Sequence, residues 1–348
     1  MSIAMQNTRV LRPVSQIIRE MTTERVHRQV WSAVGLSPDI LAGRPLFIPY
    51  RIQAGLLESA ARATGMEHFG AHVARQMPYT DLDAYGRYVL SAPCLAVALY
   101  RGVRALRHIL SHANVYLRVQ GERIVLQFDS ALDPGVGGAR HLEEAMPVLL
   151  ADLVRSYAGP DWRPDWAELR IPRATSTAAL EDLHETDVRT GGRFAAIAFH
   201  KSLIWKENPR PASPGDIHLM RDMRDLVASR APRNITETTC NMIELQIRRA
   251  DPSIEAVAEN LGIGARTLQR KLMVEATSFQ ECLNRVRTCR ARDLLRETRL
   301  SPAEIANQLG YRETNSFRRA FRRWAGMSPS QYRAEIGAGG RPVHEVDG

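Results

Sequence analysis

Each of two helical segments in the last third of the chain carries three polar or basic side chains within its first two turns. In sequence order these side chains are Arg266, Gln269, Arg270, Thr314, Asn315 and Arg319. A rotation of about 100° per residue places Arg266, Arg270, Asn315 and Arg319 away from the packed side, with Gln269 on the flank. Thr314 is a candidate because the first turns of a recognition helix usually meet the bases. In the major groove of DNA, arginine forms paired hydrogen bonds with guanine, and glutamine or asparagine with adenine. We therefore expect these six residues to contact DNA bases.

Further arginines surround the second segment. Arg318 flanks its outward face, and Arg322 and Arg323 follow one turn later, where a recognition helix reaches phosphates rather than bases. Between residues 284 and 333 the chain has twelve arginines, no lysine and four acidic residues. A solvated charged face on an ordinary helical hairpin is the alternative for either segment taken alone. Two basic faces in register favour a surface for nucleic acid.

Both segments belong to a pattern that occurs twice. Residues 257–262 and 305–310 each consist of an aliphatic residue, alanine, two variable residues, leucine and glycine. The copies are offset by 48 residues up to the glycine and by 49 after it, so the second turn is one residue longer. In each copy the spacing predicts a helix that ends at the glycine, a turn and a second helix, which together form a helix–turn–helix.

The flanking residues are typical of helix ends. Ser253 is the expected N-cap of the first copy, and Ser301 with Pro302 and Glu304 forms a capping box in the second. The segment 278–297 contains no proline or glycine and predicts one long, stiff helix between the copies. Two recognition helices on a stiff spacer suit two successive major grooves on one face of DNA.

Together these strings resemble the AraC/XylS transcription regulators. The residues that carry the resemblance are Leu268-Gln-Arg-Lys-Leu272, Arg287-x-x-x-Ala291-x-x-Leu294-Leu295, Ile305-Ala306-x-x-Leu309-Gly310-Tyr311, Ser316-Phe317-x-Arg319-Ala320-Phe321-x-x-Trp324 and Gly326-x-Ser328-Pro329-x-x-Tyr332-Arg333. The resemblance implies a seven-helix, all-α DNA-binding domain, and it assigns DNA contact to the same six positions. Two residues depart from the family: Gly264 stands where a Ser or Thr cap is usual, and Ala276 stands where a turn usually has glycine. We expect both departures to loosen the first unit.

The composition limits the remaining possibilities. The chain has 348 residues, a net charge of +9 and four cysteines without a metal-binding or disulfide pattern. We therefore expect no metal, no cofactor and no catalytic residue, and we expect Cys282 and Cys289 to be core residues of the spacer helix. The polar N-terminus has no secretory signal and no segment is apolar enough to span a membrane, so the sequence predicts a cytoplasmic protein.

Breaks in the pattern suggest the domain organisation. Residues 206–215 contain three prolines and a glycine, and residues 231–234 form a second break. We expect an effector-sensing or dimerisation domain at 1–205 and a linker at 206–234 with a helical arm at 216–229. The DNA-binding domain then covers 235–336, and a disordered tail covers 337–348.

The first domain has a mixed α+β pattern. Residues 1–112 are predicted to be mostly helical, with helices at 51–64, 67–77, 81–91 and 95–110. A small antiparallel sheet is expected from strands at 115–119, 123–128, 167–171, 194–199 and 202–205, with a helix at 140–157. This pattern resembles the non-cupin branch of the family, whose N-terminal domain is called the arabinose-binding domain. The strings that carry it are Leu56-Leu57-x-x-Ala60-Ala61, Phe69-Gly70, Leu90-Ser91-x-Pro93-x-Leu95 and the 193–205 strand pair.

The sequence does not identify an effector. Arg189 and Arg193 flank two glycines and are candidate anion ligands, although an ordinary arginine-containing turn is the simpler interpretation. The leading hypothesis is a sequence-specific transcription regulator that binds double-stranded promoter DNA. Its expected partners are RNA polymerase, a small-molecule effector and a second copy in a homodimer. The alternatives are an enzyme fused to a DNA-binding domain, with Cys94 as its only cysteine, and a regulator that needs no effector.

Overall fold

The computed structural model describes residues 3–173, 176–210, 230–247 and 252–339. The chain divides into two compact units, Met1–Pro232 and Arg233–Gly348. The helical arm predicted at 216–229 lies outside the described residues, and so does most of the predicted tail. The last helix continues to residue 339, three residues beyond the point where the sequence predicted disorder.

Eight α-helices occur in the described part of the first unit. They are α1 (Leu11–Met21), α2 (Glu24–Ala33), α3 (Tyr50–Thr64), α4 (Phe69–Gln76), α5 (Asp83–Leu90), α6 (Leu95–Ala105), α7 (Ala139–Ala158) and α8 (Ala178–His184). The four helices predicted between 51 and 110 are therefore present, although the fourth ends earlier and continues as a short 3-10 turn, Leu106–His108.

The strands of this unit form two sheets. They are β1 (Met5–Asn7), β2 (Phe47–Pro49), β3 (Asn114–Gln120), β4 (Arg123–Asp129), β5 (Trp166–Leu169), β6 (Val188–Thr190) and β7 (Ala195–His200). β1 pairs with β2, and the other five are ordered β3-β4-β7-β5-β6. All pairs are antiparallel except β5 with β6, which is parallel. The predicted α+β class is confirmed, with one parallel pair in a sheet expected to be antiparallel.

One predicted strand is wrong. Residues 202–205 belong to a 3-10 helix, Lys201–Trp205, which begins directly after β7. The side chain of His200 accepts a hydrogen bond from the backbone N–H of Ser202, and it thereby turns the chain away from the sheet. The aliphatic residues here suggested a strand, but this local cap decided the conformation.

The core of the first unit lies between its helices and the larger sheet. Helix α7 packs against β7 on one side and against α4 on the other. The approach of α4 to α7 is close at Gly70, where an added Cβ would collide with the carbonyl oxygen of His141. A glycine is therefore required at this crossing.

Seven α-helices occur in the described part of the second unit, as the family resemblance implied. They are α9 (Ile235–Gln246), α10 (Ile254–Leu261), α11 (Ala265–Val274), α12 (Phe279–Glu297), α13 (Pro302–Gln308), α14 (Thr314–Ala325) and α15 (Pro329–Gly339). Helix α12 packs against α9 at one end and against α13, α14 and α15 at the other. Helix α9 in turn packs against α10 and α11, so α12 supports the second helix–turn–helix directly and the first one through α9.

Candidate nucleic-acid interface

The first helix–turn–helix consists of α10 and α11. Helix α10 begins at the predicted cap, because the Ser253 hydroxyl accepts a hydrogen bond from the Ala256 N–H at 3.1 Å. It buries Val257, Ala258 and Leu261, while α11 buries Leu268 and Leu272. This apolar contact fixes the face that α11 turns away from the core.

The three side chains predicted to read bases from the first unit lie on that outer face. Arg266, Gln269 and Arg270 are all exposed. Gly264 stands at the N-cap of α11 and gives it no side-chain hydrogen bond. The first recognition helix thus begins without the cap that a serine or threonine would supply, which costs a few tenths of a kcal/mol.

The second helix–turn–helix has an aromatic interior. Phe317 and Phe321 of α14 are fully buried, and their ring centroids are 5.8 Å apart. Tyr311 lies 5.7 Å from Phe317, and Tyr332 lies 5.5 Å from Phe321, nearly perpendicular to it. The predicted capping box is present, because the Ser301 N–H donates to the Glu304 carboxylate at 2.7 Å and the Ser301 hydroxyl accepts from the Glu304 N–H.

The outer face of α14 carries the remaining candidates. Thr314 is half-buried, and the other members are exposed: Asn315, Arg318, Arg319, Arg322 and Arg323. Within the described part of the chain none of these four arginines forms an ion pair with a carboxylate. Their charge is therefore available to an anionic partner.

A buried arginine that the sequence reading did not assign supports this helix. Arg287 of α12 is buried, and its Nε donates a hydrogen bond to the carbonyl of Leu309 at 3.2 Å. Its guanidinium group lies 4.6 Å from the centre of the Tyr311 ring. It joins the spacer helix to the turn of the second unit. The sequence feature that could have indicated this role is the position of Arg287 on the otherwise apolar stripe of α12.

Three helix ends in this domain close with the same pair of hydrogen bonds. After α10, the N–H groups of Gly262 and residue 263 bond to the carbonyls of residues 259 and 258. The same pattern follows α13 at Gly310 and follows α11 at Ala276. The backbone angle φ is 73° at Gly262, 74° at Gly310 and 54° at Ala276. This helix end therefore needs a residue with positive φ. Glycine adopts positive φ without steric cost, whereas alanine is strained there.

The cysteines are partly as expected. Cys282 is buried against α9, where its thiol shares a hydrogen bond with that of Cys240. Cys289 is exposed, so its prediction as a core residue is wrong. The two positions share a face of α12 because they are seven residues apart, but the neighbouring helices leave the Cys289 side chain exposed.

The candidate anion ligands of the first unit stack on aromatic rings. The guanidinium carbon of Arg189 lies 4.2 Å from the Trp166 ring centre, and that of Arg193 lies 5.2 Å from the Phe194 ring centre. Both arginines are exposed, and neither lines the interior cavity described next.

That cavity lies in the first unit, among β1, α3, α5–α7 and the inner faces of β3 and β4. Its volume, measured as the space open to the centre of a water molecule, is about 110 Å³. The lining side chains are mainly aliphatic and aromatic, and the polar members are Gln6, Gln53, Tyr50, Tyr79 and Tyr85. No local sequence pattern indicates this cavity, because its walls come from segments far apart in the chain.

A separate cluster of ionisable groups is buried between α4 and α7. The Glu144 carboxylate lies 3.2 Å from His68 Nδ1, 3.3 Å from Arg140 Nε and 3.9 Å from His141 Nδ1. Burial lowers the pKa of His141 to about 4, so this imidazole is neutral near pH 7. Among the described residues no group of histidine, cysteine and carboxylate side chains is arranged to hold a metal ion.

The geometry defines a DNA-binding protein with two helix–turn–helix units. A family model described as the arabinose-binding domain of AraC transcription regulators matches residues 27–205. A helix-turn-helix domain model matches residues 257–335. The chain belongs to the AraC family of transcription regulators, which confirms the predicted family and its non-enzymatic class.

One relative, at 42% identity, supports this membership by itself. The chain is 42% identical to the HTH-type transcriptional regulator Rv1395 of Mycobacterium tuberculosis over 273 residues. The matched region covers 76% of this chain and 77% of that protein. It is 26% identical over 294 residues to VirS of the same species, which covers 82% of this chain and 84% of that protein. The crystal structure of CdpR from Pseudomonas aeruginosa is similar with a TM-score of 0.42 and 22% identity, over 93% of this chain and 97% of that one. No helix in the described residues has the length and apolar character needed to cross a bilayer.

Proposed function

We propose that α11 and α14 enter two successive major grooves on one face of promoter DNA. In this proposal the base contacts come from Arg266, Gln269, Arg270, Thr314, Asn315 and Arg319. Phosphate contacts come from Arg318, Arg322 and Arg323. The observation that carries the proposal is the exposed and unpaired basic face of α14, held outward by the buried rings of Phe317 and Phe321.

The two units contribute unequally in this proposal. The second has a capping box, an aromatic interior and the Arg287 bond to its turn. Both recognition helices begin without a side-chain cap, so the first unit differs by the strained alanine that follows α11. We therefore assign the main anchoring to α14 and a weaker contribution to specificity to α11.

We also propose that the first unit senses a small molecule. The support is its interior cavity, which is enclosed mainly by apolar side chains, as ligand pockets commonly are. A homodimer and contact with RNA polymerase are further parts of this proposal, and they rest on the family alone.

The test of DNA recognition begins with selection of a preferred duplex by the full-length protein. Asn315→Ala should lower affinity for that duplex about 5- to 100-fold, which corresponds to roughly 1–3 kcal/mol, with little effect on random duplex. Arg322→Ala should weaken binding to the selected and the random duplex equally. It should also reduce the slope of log affinity against log salt by about 1. Arg28→Ala, an exposed arginine of α2, is the matched control and should change neither.

Equal losses on both duplexes for Asn315→Ala would make this residue a positioning contact. A second measurement uses residues 231–348 alone, which contain the whole second unit. This fragment should bind duplex DNA with strong salt dependence. If it binds no promoter-length DNA at low salt, the proposed interface is wrong.

A further inference from the structure

We propose that the cavity of the first unit binds an uncharged, largely apolar small molecule that carries a hydrogen-bond donor, which the side-chain oxygens of Gln6 and Gln53 accept. This inference rests on the proposed sensing role and names the chemical class of the ligand. The experiment below separates binding of that class from its effect on DNA.

The walls exclude a charged ligand. Leu99, Leu126, Phe128 and Leu153 are among the lining residues, and no lining side chain is ionised near pH 7. The nearby carboxylate of Glu143 is already paired with Arg170 at 2.8 Å. A carboxylate or ammonium group moved from water into this cavity would find no counter-ion, and its desolvation would oppose binding.

Two acceptors in the wall are buried without a donor. Gln6 is 4% exposed and Gln53 is half-buried, and the Oε1 atom of each has no hydrogen-bond partner in the described structure. Both residues line the same cavity. Buried amide oxygens are normally bonded, so two unsatisfied oxygens at one apolar cavity indicate a ligand that donates to them.

The hydroxyls of Tyr79 and Tyr85 in the wall do not supply that donor, because they are bonded elsewhere. The hydroxyls of Tyr79 and Tyr85 are 3.2 Å apart, and the Tyr85 hydroxyl donates to the carbonyl of Gly102 at 3.3 Å. Burial raises the pKa of Tyr85 to about 12, so the hydroxyl stays protonated and uncharged. The polar groups of the wall are therefore neutral, with acceptor capacity left at the two glutamines.

The probes that test this class are 1-octanol, its isomer heptyl methyl ether and octanoate. All three have similar apolar tails, but only the alcohol is both neutral and a donor. Binding to full-length protein is measured by calorimetry and by the shift in thermal unfolding. We expect the alcohol to bind about three- to tenfold more tightly than the ether. We expect no detectable binding of octanoate.

Variants assign the preference to the named atoms. Gln6→Leu combined with Gln53→Leu should leave the protein folded and should give alcohol and ether equal affinity, because the acceptors are gone. Gln16→Leu, an exposed glutamine of α1, is the matched control and should keep the preference. Gly102→Val should weaken both ligands, because its new side chain starts in ordinary contact beside Tyr85 and occupies cavity volume.

Three results would overturn the proposed class: no binding of the alcohol, equal binding of the ether, or tighter binding of octanoate. The effect on function is read separately, from the affinity of the same samples for the selected duplex. If the alcohol binds with the expected preference but leaves DNA affinity unchanged, the sensing role is wrong and the ligand class stands.

Discussion

Replacement of Ala276 by glycine should stabilise the DNA-binding unit. Ala276 has φ of 54° and closes α11 with two hydrogen bonds, from its own N–H to Met273 and from Thr277 N–H to Leu272, both at 3.0 Å. An L-residue in this left-handed conformation costs about 1–2 kcal/mol. Glycine removes that strain, but its greater freedom in the unfolded chain offsets about 0.5–1 kcal/mol.

The net expectation is therefore a gain of about 0.5–1 kcal/mol in the free energy of unfolding. For a domain of roughly this size, that gain corresponds to a rise in melting temperature of about 2–8 °C. The assay is urea and thermal unfolding of residues 231–348, followed by circular dichroism. The hydrogen bonds of the turn are kept, so the gain should appear mainly as slower local opening of α11.

Two control substitutions should lower the free energy of unfolding instead of raising it. Gly262→Ala places a Cβ at φ of 73° in an equivalent turn and should cost about 1 kcal/mol. Ala334→Gly, at an exposed position inside α15, should cost about 0.5–1 kcal/mol because no strain is relieved there. If Ala276→Gly destabilised the unit as much as Ala334→Gly does, the argument from left-handed strain would be refuted.

Three further predictions concern the same unit. Arg287→Lys should lower the free energy of unfolding in urea by about 1–2 kcal/mol, because lysine cannot keep both the contact with the Tyr311 ring and the hydrogen bond to Leu309. An unchanged urea midpoint would contradict this prediction. The Ser301 backbone N–H holds the pKa of Glu304 below its ordinary value, so its stabilisation is present above that value and is lost as the pH falls through the lowered pKa. Unfolding midpoints measured between about pH 2.5 and 6 should accordingly fall less in Glu304→Gln than in the parent. Thiol alkylation followed by mass spectrometry should label Cys289 faster than Cys282, and the reverse order would contradict their exposures.

Periodic patterns predicted the second unit well. The repeat, the capping residues and the glycine turns each act over a few neighbouring residues, and the structure has the helices where these signals lie. The exposed positions of Arg266, Gln269, Arg270, Asn315 and Arg319 agree with the buried positions of Leu268 and Phe317, whereas Thr314 is half-buried. Rotation about a helix axis is sufficient to derive one from the other.

Features that depend on distant parts of the chain were not predictable. The Arg287 bond to Leu309 joins residues 22 positions apart, and an arginine on an apolar stripe did not reveal its partner. The exposure of Cys289 depends on which helices cover α12. The cavity is bounded by residues from Gln6 to Leu153, so that no local pattern contains it.

The stiffness of helix α12 limits which DNA sites the protein can bind. It is one uninterrupted helix of 19 residues, about 28 Å long, and it packs directly against the second helix–turn–helix and, through α9, supports the first. Under the proposed docking, a base pair inserted between the two half-sites rotates one of them by about 34° about the DNA axis. A stiff helix does not follow that rotation, so under this docking the protein should also distinguish promoters that differ only in the spacing of their half-sites. A single residue added within α12 would turn one unit by about 100° relative to the other, which separates the protein from all its former sites at once.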